Sequence, residues 1–443
     1  MTGLGADSGK DGGAGLPLSA RILWLTNIPL PAVRSKQELP GIAGGGWLSA
    51  GLAALVAADP TAEVVCAARS WPAPAPFVSD GVRYVTLASE APRGGWAGVF
   101  RAWTDGLRDT VPVEEMRRLI DDTRPDLIHV HGTETSNALG AVLAAKRTGT
   151  PVLVSIQGPV SEYAPLFFQG SRPEDVLADL ATADFLKGGG TIHSWRRMRR
   201  AAARERVTLS QLTDAAGRTE WDREVVRRAN PTARYWHVGE VLRRPFYESE
   251  WRGSSQDPPT ILAVTSAAPY KGIDVLLKAF AQVLDRRPAR LQVVGDIVGT
   301  SLWRSLRRLE ASLGLTGRVD WVGPSDATGV AERLASCDVF VCASRIENSP
   351  NSVCEAMLVG APVVASRVGG VPSLLAHEHD GLLFESGDPE ELGAAVARVL
   401  ADKGLARALG RQARATAMAR HDPLTVTEGL KRTYAALITD TGR

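Results

Sequence analysis

Glu347 and Glu355 stand eight positions apart in the segment Ser344–Gly370, SRIENSPNSVCEAMLVGAPVVASRVGG, with Pro350 between them. Pro350 and Asn351 predict a helix start, which puts Glu355 in the first turns and Glu347 in the loop just before it. A strand, a polar loop and a helix N-terminus in series make an anion site, because unpaired N–H groups and the helix dipole face outward there. A diphosphate fits the end formed by Asn351, Ser352 and Val353, and the two carboxylates can accept hydrogen bonds from sugar and ribose hydroxyls. Two solvated glutamates on a surface loop are the plainer reading. Against it, the loop follows a buried strand at the carboxyl edge of a sheet, where α/β folds bind ligands.

Lys271, in Tyr270-Lys271-Gly272, follows another such strand, and a lysine there can neutralise a diphosphate leaving group. His131 closes a third strand, in DLIHVHGTE, with Glu134 three residues on. The run Gly44-Gly45-Gly46-Trp47 follows the long loop after the first strand. Its glycines let backbone approach a ligand closely, but the run is not the G-x-G-x-x-G fingerprint of a dinucleotide enzyme.

The elements that must hold these residues follow a strand-then-helix rhythm. Strands are expected at 21–26, 63–67, 83–87, 126–130 and 151–156, with a helix near 136–148. A second series has strands at 260–265, 291–294, 319–322, 338–342 and 362–365, alternating with helices at 273–284, 301–313, 327–335 and 352–359. This is the pattern of two doubly wound α/β domains. Ser254–Pro259 (SSQDPP) reads as the linker. The expected division is a disordered leader at 1–19, a first domain at 20–253, a second at 254–421 and a C-terminal helix at 422–443 packing back on the first. An insert near 160–206 ends in WRRMRRAAARER, Trp195–Arg206, with six arginines against one glutamate. It is either a solvated face or a patch for anionic lipid, with Trp195 and Met198 as apolar partners.

With 443 residues, 44% hydrophobic and 23% charged, the chain has the composition of a folded protein, and a net charge of +2 gives no global pull toward nucleic acid. No apolar run reaches the ~18–20 residues of a bilayer span. Cys66, Cys337, Cys342 and Cys354 fit no zinc spacing and read as free thiols of a reducing cytoplasm.

The Ser344–Gly370 segment resembles the retaining glycosyltransferases of family 4, which have two facing Rossmann-like domains. Their Glu-x7-Glu loop, EAM and G-x-P-V-V-A-S with paired glycines match Glu347, Glu355, Ala356, Met357, Gly360, Pro362, Val363, Val364, Ala365, Ser366, Gly369 and Gly370. The resemblance implies Glu347 beside the donor sugar, Glu355 beside the ribose, and Lys271 on the diphosphate. It also implies His131 and Glu134 near donor sugar and acceptor, and Gly45 and Gly46 touching donor or acceptor. Family members usually carry an arginine five or six residues before the lysine. Here Ser266 and Thr265 stand there; Ser266 joins the donor-binding set, and Arg345, Arg218 and Arg367 are the candidate substitutes.

GRTEWD (217–222), HGTE, Ile156-Gln157-Gly158 and Glu240-Val241-Leu242-Arg243 resemble a subset acting on bacterial surface polysaccharides. The expectation is a cytoplasmic hexosyltransferase, peripheral at the inner membrane face if the basic helix meets lipid. It uses a nucleotide-sugar as co-substrate, UDP-sugar first with GDP- and ADP-sugars open, and needs no metal or other cofactor. Its acceptor is a hydroxyl of a saccharide, lipid-linked saccharide or small molecule. A natural-product glycosyltransferase, a sugar-nucleotide epimerase and a non-catalytic nucleotide-sugar-binding protein are the alternatives.

Overall fold

The computed structural model describes residues 19–37, 45–89, 111–171, 173–174, 176, 190–253 and 257–441. The expected leader lies outside these residues except for Ser19, as do Gly44 and the first three residues of the expected linker.

Among the described residues, fourteen strands form two sheets. The first holds β1 (Arg21–Thr26), β2 (Glu63–Ser70), β3 (Phe77–Ser79), β4 (Val82–Ala88), β5 (Leu127–His131), β6 (Val152–Ser155), β7 (Asp214–Gly217) and β8 (Arg234–His237). Their order is β3-β4-β2-β1-β5-β6-β7-β8, parallel except for the β3 edge. The second sheet, wholly parallel, holds β9 (Thr260–Val264), β10 (Arg290–Val294), β11 (Val319–Gly323), β12 (Val339–Cys342), β13 (Val363–Ser366) and β14 (Leu382–Phe384), in the order β11-β10-β9-β12-β13-β14. Each sheet therefore runs outward in one direction from its first strand and in the other from its fourth parallel strand. The crevices where the order reverses, β1/β5 and β9/β12, are the places where open α/β sheets hold ligands.

Strands such as LIHVH and VFVC are buried along their length because helices cover both faces. Ile128, Val130, Met116, Leu119 and Val142 lie in one face of the first core, and Leu291, Val341, Leu277 and Phe280 in one face of the second.

One feature crosses the expected domain limits. The second core takes in Leu242 and Phe246, which precede Ser254. Trp251 donates from its backbone N–H to Val359 O at 2.8 Å, and Arg252 to Ala335 O at 2.8 Å. The second domain thus begins upstream of the position expected from SSQDPP; a Pro-rich turn marked the boundary less well than burial does. At the other end, the helix Pro423–Thr441 lies against the first sheet. Its Tyr434 is fully buried and accepts from Trp24 Nε1 at 2.9 Å.

Candidate active site

The second domain supplies a lysine, a carboxylate and a helix end within one crevice. β9 runs into the turn Pro269–Lys271, which closes at Gly272 with φ +69. A Cβ on Gly272 would fall 1.9 Å from Ala343 O, so only glycine lets this turn seat against the end of β12. That seating brings Lys271 Nζ to 2.5 Å from Glu347 Oε1, which also accepts from Ser344 Oγ at 2.7 Å. Burial works to lower the Lys271 pKa, but the charge and hydrogen bond of Glu347 outweigh it and hold the ammonium above its ordinary value.

Beyond Glu347, Pro350 starts the helix Asn351–Val359, and no side chain caps its N-terminus. Val353 donates its N–H back to Pro350 O at 3.0 Å and buries its side chain. Ser352 instead lines a small pocket with Lys271, Glu347, Ser344 and Thr265, while Asn351 is half-buried at the helix start. Ser266 is exposed on the loop after β9.

Glu355 is buried one turn into the same helix. Arg243 reaches it with Nη2 at 2.5 Å and Nε at 3.2 Å. Burial pushes the Glu355 carboxyl up to about 7 against the pull of that guanidinium. Arg243 passes directly over the glycine loop, since a Cβ on Gly46 would fall 2.6 Å from Arg243 Cδ. Gly45, with φ +82, starts the helix Gly46–Ala58, and a Cβ there would strike Ile28 at 2.2 Å. The glycine run thus meets Glu355 through Arg243. Nothing in the sequence around Glu240-Val241-Leu242-Arg243 signals this role for Arg243, because its nearness to a glycine run and an acid arises only in the tertiary structure.

In the first domain, His131 and Arg218 line a separate pocket with Trp24, Trp47, Gln157 and Glu240, and Glu134 stands on the loop after β5. His131 ends β5 and is buried between Trp24, at a ring distance of 4.3 Å, and His129 at 3.9 Å. Burial first, then the nearby His129 and Arg218, push its pKa well below the usual value, so the ring is neutral. Both ring nitrogens are buried without a hydrogen-bond partner among the described residues. Glu134 accepts from Asn27 Nδ2, which ties the loop after β5 to the loop after β1.

The three candidate arginines have partners. Arg218 pairs with the buried Glu240, donates to Gln157 Oε1 at 3.0 Å and lies over Trp47. Asp222 accepts from the Arg218 backbone at 2.9 Å, not from its guanidinium. Arg345 is bidentate to Asp274, both contacts 2.7 Å, and turned away from Glu347 toward the helix after Lys271. Arg367 pairs with Glu385 on an exposed edge.

Residues 248–416 match the family model for glycosyl transferases group 1, and residues 46–207 match that for a glycosyl transferase 4-like domain. Each of the two domains is thus of glycosyltransferase type. The D-inositol 3-phosphate glycosyltransferase of Acidothermus cellulolyticus is 29% identical over 321 residues, covering 70% of this chain and 66% of that protein. Another D-inositol 3-phosphate glycosyltransferase, from Catenulispora acidiphila, is 36% identical over 155 residues, covering 33% of this chain and 36% of that protein. The N-acetyl-alpha-D-glucosaminyl L-malate synthase of Bacillus anthracis is 31% identical over 162 residues, 37% of this chain and 41% of that protein. The chain thus spans between about a third and two thirds of these relatives' length.

Among solved structures, sucrose-phosphate synthase from Thermosynechococcus elongatus superposes with a TM-score of 0.68 at 20% identity, over 95% of this glycosyltransferase and 100% of that chain. HepE of Anabaena, solved with UDP-glucose, superposes with a TM-score of 0.63 at 16% identity, over 94% and 100% of the two chains. At such identities the likeness is one of fold, two Rossmann-like domains.

Proposed function

We propose that this protein is a retaining hexosyltransferase that moves a sugar from a nucleoside-diphosphate sugar, UDP-sugar first, to a hydroxyl of a saccharide or lipid-linked saccharide. The observation that carries the reading is the Lys271–Glu347 pair beside an uncapped helix N-terminus, with Glu355 one turn further along the helix. The diphosphate sits on Lys271 and the N-terminal turn at Asn351 and Ser352, where ammonium and helix dipole both favour negative charge. Glu347 accepts from hydroxyls of the donor sugar, and Glu355 from those of the ribose.

As the bond from sugar to phosphate lengthens, charge grows on the leaving phosphate, and Lys271 stabilises that charge. The acceptor hydroxyl attacks from the same face, its proton passes to the leaving phosphate oxygen, and the new bond keeps the donor's anomeric configuration. His131, neutral, hydrogen-bonds sugar or acceptor hydroxyls. The relatives named for inositol phosphate and malate acceptors, and the UDP-glucose complex of HepE, support a nucleotide-sugar donor and a hydroxyl acceptor. The absence of an arginine at Thr265 or Ser266 leaves Lys271 and the helix amides to carry the diphosphate.

UDP-, GDP- and ADP-sugars incubated with and without saccharide acceptors test the reading. Acceptor-dependent release of nucleoside diphosphate, with a product of the donor's anomeric configuration by NMR, is expected. Inverted product contradicts retention. Release without acceptor points to an epimerase-like reaction, and binding without turnover to a binding protein.

A further inference from the structure

The glycosyltransferase's two domains are pinned together at one side chain, Asn348, the residue after Glu347. Asn348 is 1% exposed. Its Oδ1 accepts from Thr219 Oγ1 at 2.7 Å, and its Nδ2 donates to Asp222 Oδ2 at 3.1 Å and to Gln157 O at 3.1 Å. Its backbone N–H donates to Tyr163 OH at 2.9 Å. All four partners belong to the first domain, while Asn348 belongs to the second.

Thr219 and Asp222 are the capping box of the helix Glu220–Ala229: Thr219 Oγ1 accepts from the Asp222 backbone, and Asp222 accepts from the Thr219 backbone. The same hydroxyl donates to Asn348 and the same carboxylate accepts from it. The cap is therefore already fixed by its own helix and presents one donor and one acceptor in the geometry of a carboxamide. The paired glycines of the second domain make the approach possible. A Cβ on Gly370 would fall 2.6 Å from Thr219 Cγ2 and 2.1 Å from Asn348 O, and one on Gly369 would fall 2.0 Å from Glu347 O. A further contact, Glu220 N–H to Ser373 Oγ at 3.1 Å, lies alongside.

We propose that Asn348 and the Thr219–Asp222 cap form an interdomain latch that closes the cleft and, in the same act, sets the position of Glu347. Asn348 is thus a positioning residue. Separation of the domains strips four hydrogen bonds from the peptide next to Glu347 and frees the loop between β12 and the donor helix. Closure restores them, and with them the Glu347–Lys271 geometry. GRTEWD, whose resemblance pointed toward the acceptor, has this mechanical role, and the glycine pair exists to admit it. The catalytic part of the proposal rests on the sugar-transfer reading above; the closure part does not.

Asn348→Asp tests it, because the new carboxylate would face that of Asp222 across a buried contact, and like charges at that range repel. Small-angle X-ray scattering on the full chain, calorimetric titration with UDP, and acceptor-dependent turnover are the three readouts. Expected for Asn348→Asp are a larger radius of gyration than wild type, a UDP Kd within about threefold of wild type, and turnover lowered about 10- to 100-fold, the scale of one or two lost hydrogen bonds. Tyr163→Phe, which removes one bond and adds no charge, should lower turnover by a smaller factor with UDP affinity held, and serves if Asn348→Asp does not fold. Unchanged scattering and unchanged turnover in a folded Asn348→Asp protein would overturn the latch and leave the sugar-transfer reading standing. An enlarged radius in a protein whose wild type neither binds UDP nor turns over nucleotide sugars would uphold the latch and overturn the sugar-transfer reading. Loss of UDP affinity in step with turnover would place Asn348 in donor binding and overturn its role as a positioning residue.

Discussion

Glu355 carries the most informative protonation equilibrium of the donor site. Its folded pKa, raised by burial to about 7, lies above the ordinary carboxyl value of 4.5. A raised folded value means that protonation favours the fold, so this contribution is fully present below about 4.5 and is lost as pH rises through about 7. Thermal melts of the wild type should gain stability on acidification across that window relative to Glu355→Gln, which has no proton to take up; parallel melting curves would contradict this. With the ribose bound, the same substitution removes a charged acceptor and should weaken UDP by ~1–3 kcal/mol. On the proposed role of Lys271 at the leaving group, Lys271→Ala should lower kcat by ~10²–10³-fold. The single change also strands the buried Glu347, so Lys271→Ala/Glu347→Gln should be more stable than Lys271→Ala alone. A double variant no more stable than Lys271→Ala would show that Glu347 is not stranded by the loss of Lys271, its carboxylate being held by Ser344 Oγ instead.

At the scale of elements, strands with apolar, β-branched runs were legible: RILWLT falls at Arg21–Thr26 as expected, and the helix IDVLLKAFAQVL at Ile273–Leu284. β3, β7, β8 and β14 were not expected. DAAG and RYWH have neither a β-branched run nor a full alternation, and they are strands because β6 offers β7 an open edge, and β7 offers β8 one. Of the site, the strand-end positions of Lys271, Glu347 and His131 were readable from spacing. The Arg243–Glu355 pair and the commitment of Arg345 to Asp274 were not, because each joins residues far apart in sequence. The basic helix spans Gly190–Gln211 and buries His193, Ala202, Glu205, Thr208 and Leu209 toward the protein, leaving Arg196, Arg197, Arg199 and Arg206 exposed. Trp195 packs on Phe168, so an approach to lipid would rest mainly on charge. Sedimentation with anionic vesicles should show binding at low salt that falls as salt rises, and replacement of Arg196, Arg197, Arg199 and Arg200 by Ser should remove it. Wild-type protein that stays in solution at low salt would point to an acceptor free of the membrane.

At the scale of the whole molecule, the proposed donor residues Lys271, Glu347 and Glu355 belong to the second domain, and His131 and the glycine run to the first. No helix among the described residues is long and apolar enough to cross a membrane. The helix Pro423–Thr441 returns to the first sheet, and Leu242, Phe246, Tyr247 and Trp251 pack into the second core, so the chain crosses between domains twice. A reaction spread over two domains proceeds only when they close, and closure also keeps water from the donor. The proposed site implies a division of labour, with nucleotide binding assigned to the second domain and transfer to both. Calorimetric titration of UDP into the full-length protein tests this most directly, with wild type, Lys271→Ala/Glu355→Gln and His131→Asn compared under one condition. Saturable binding to wild type, retained within about threefold in His131→Asn and weakened at least about tenfold in the double variant, is the predicted result. Equal UDP affinity in wild type and the double variant, or no binding to wild type, would contradict the donor site described above.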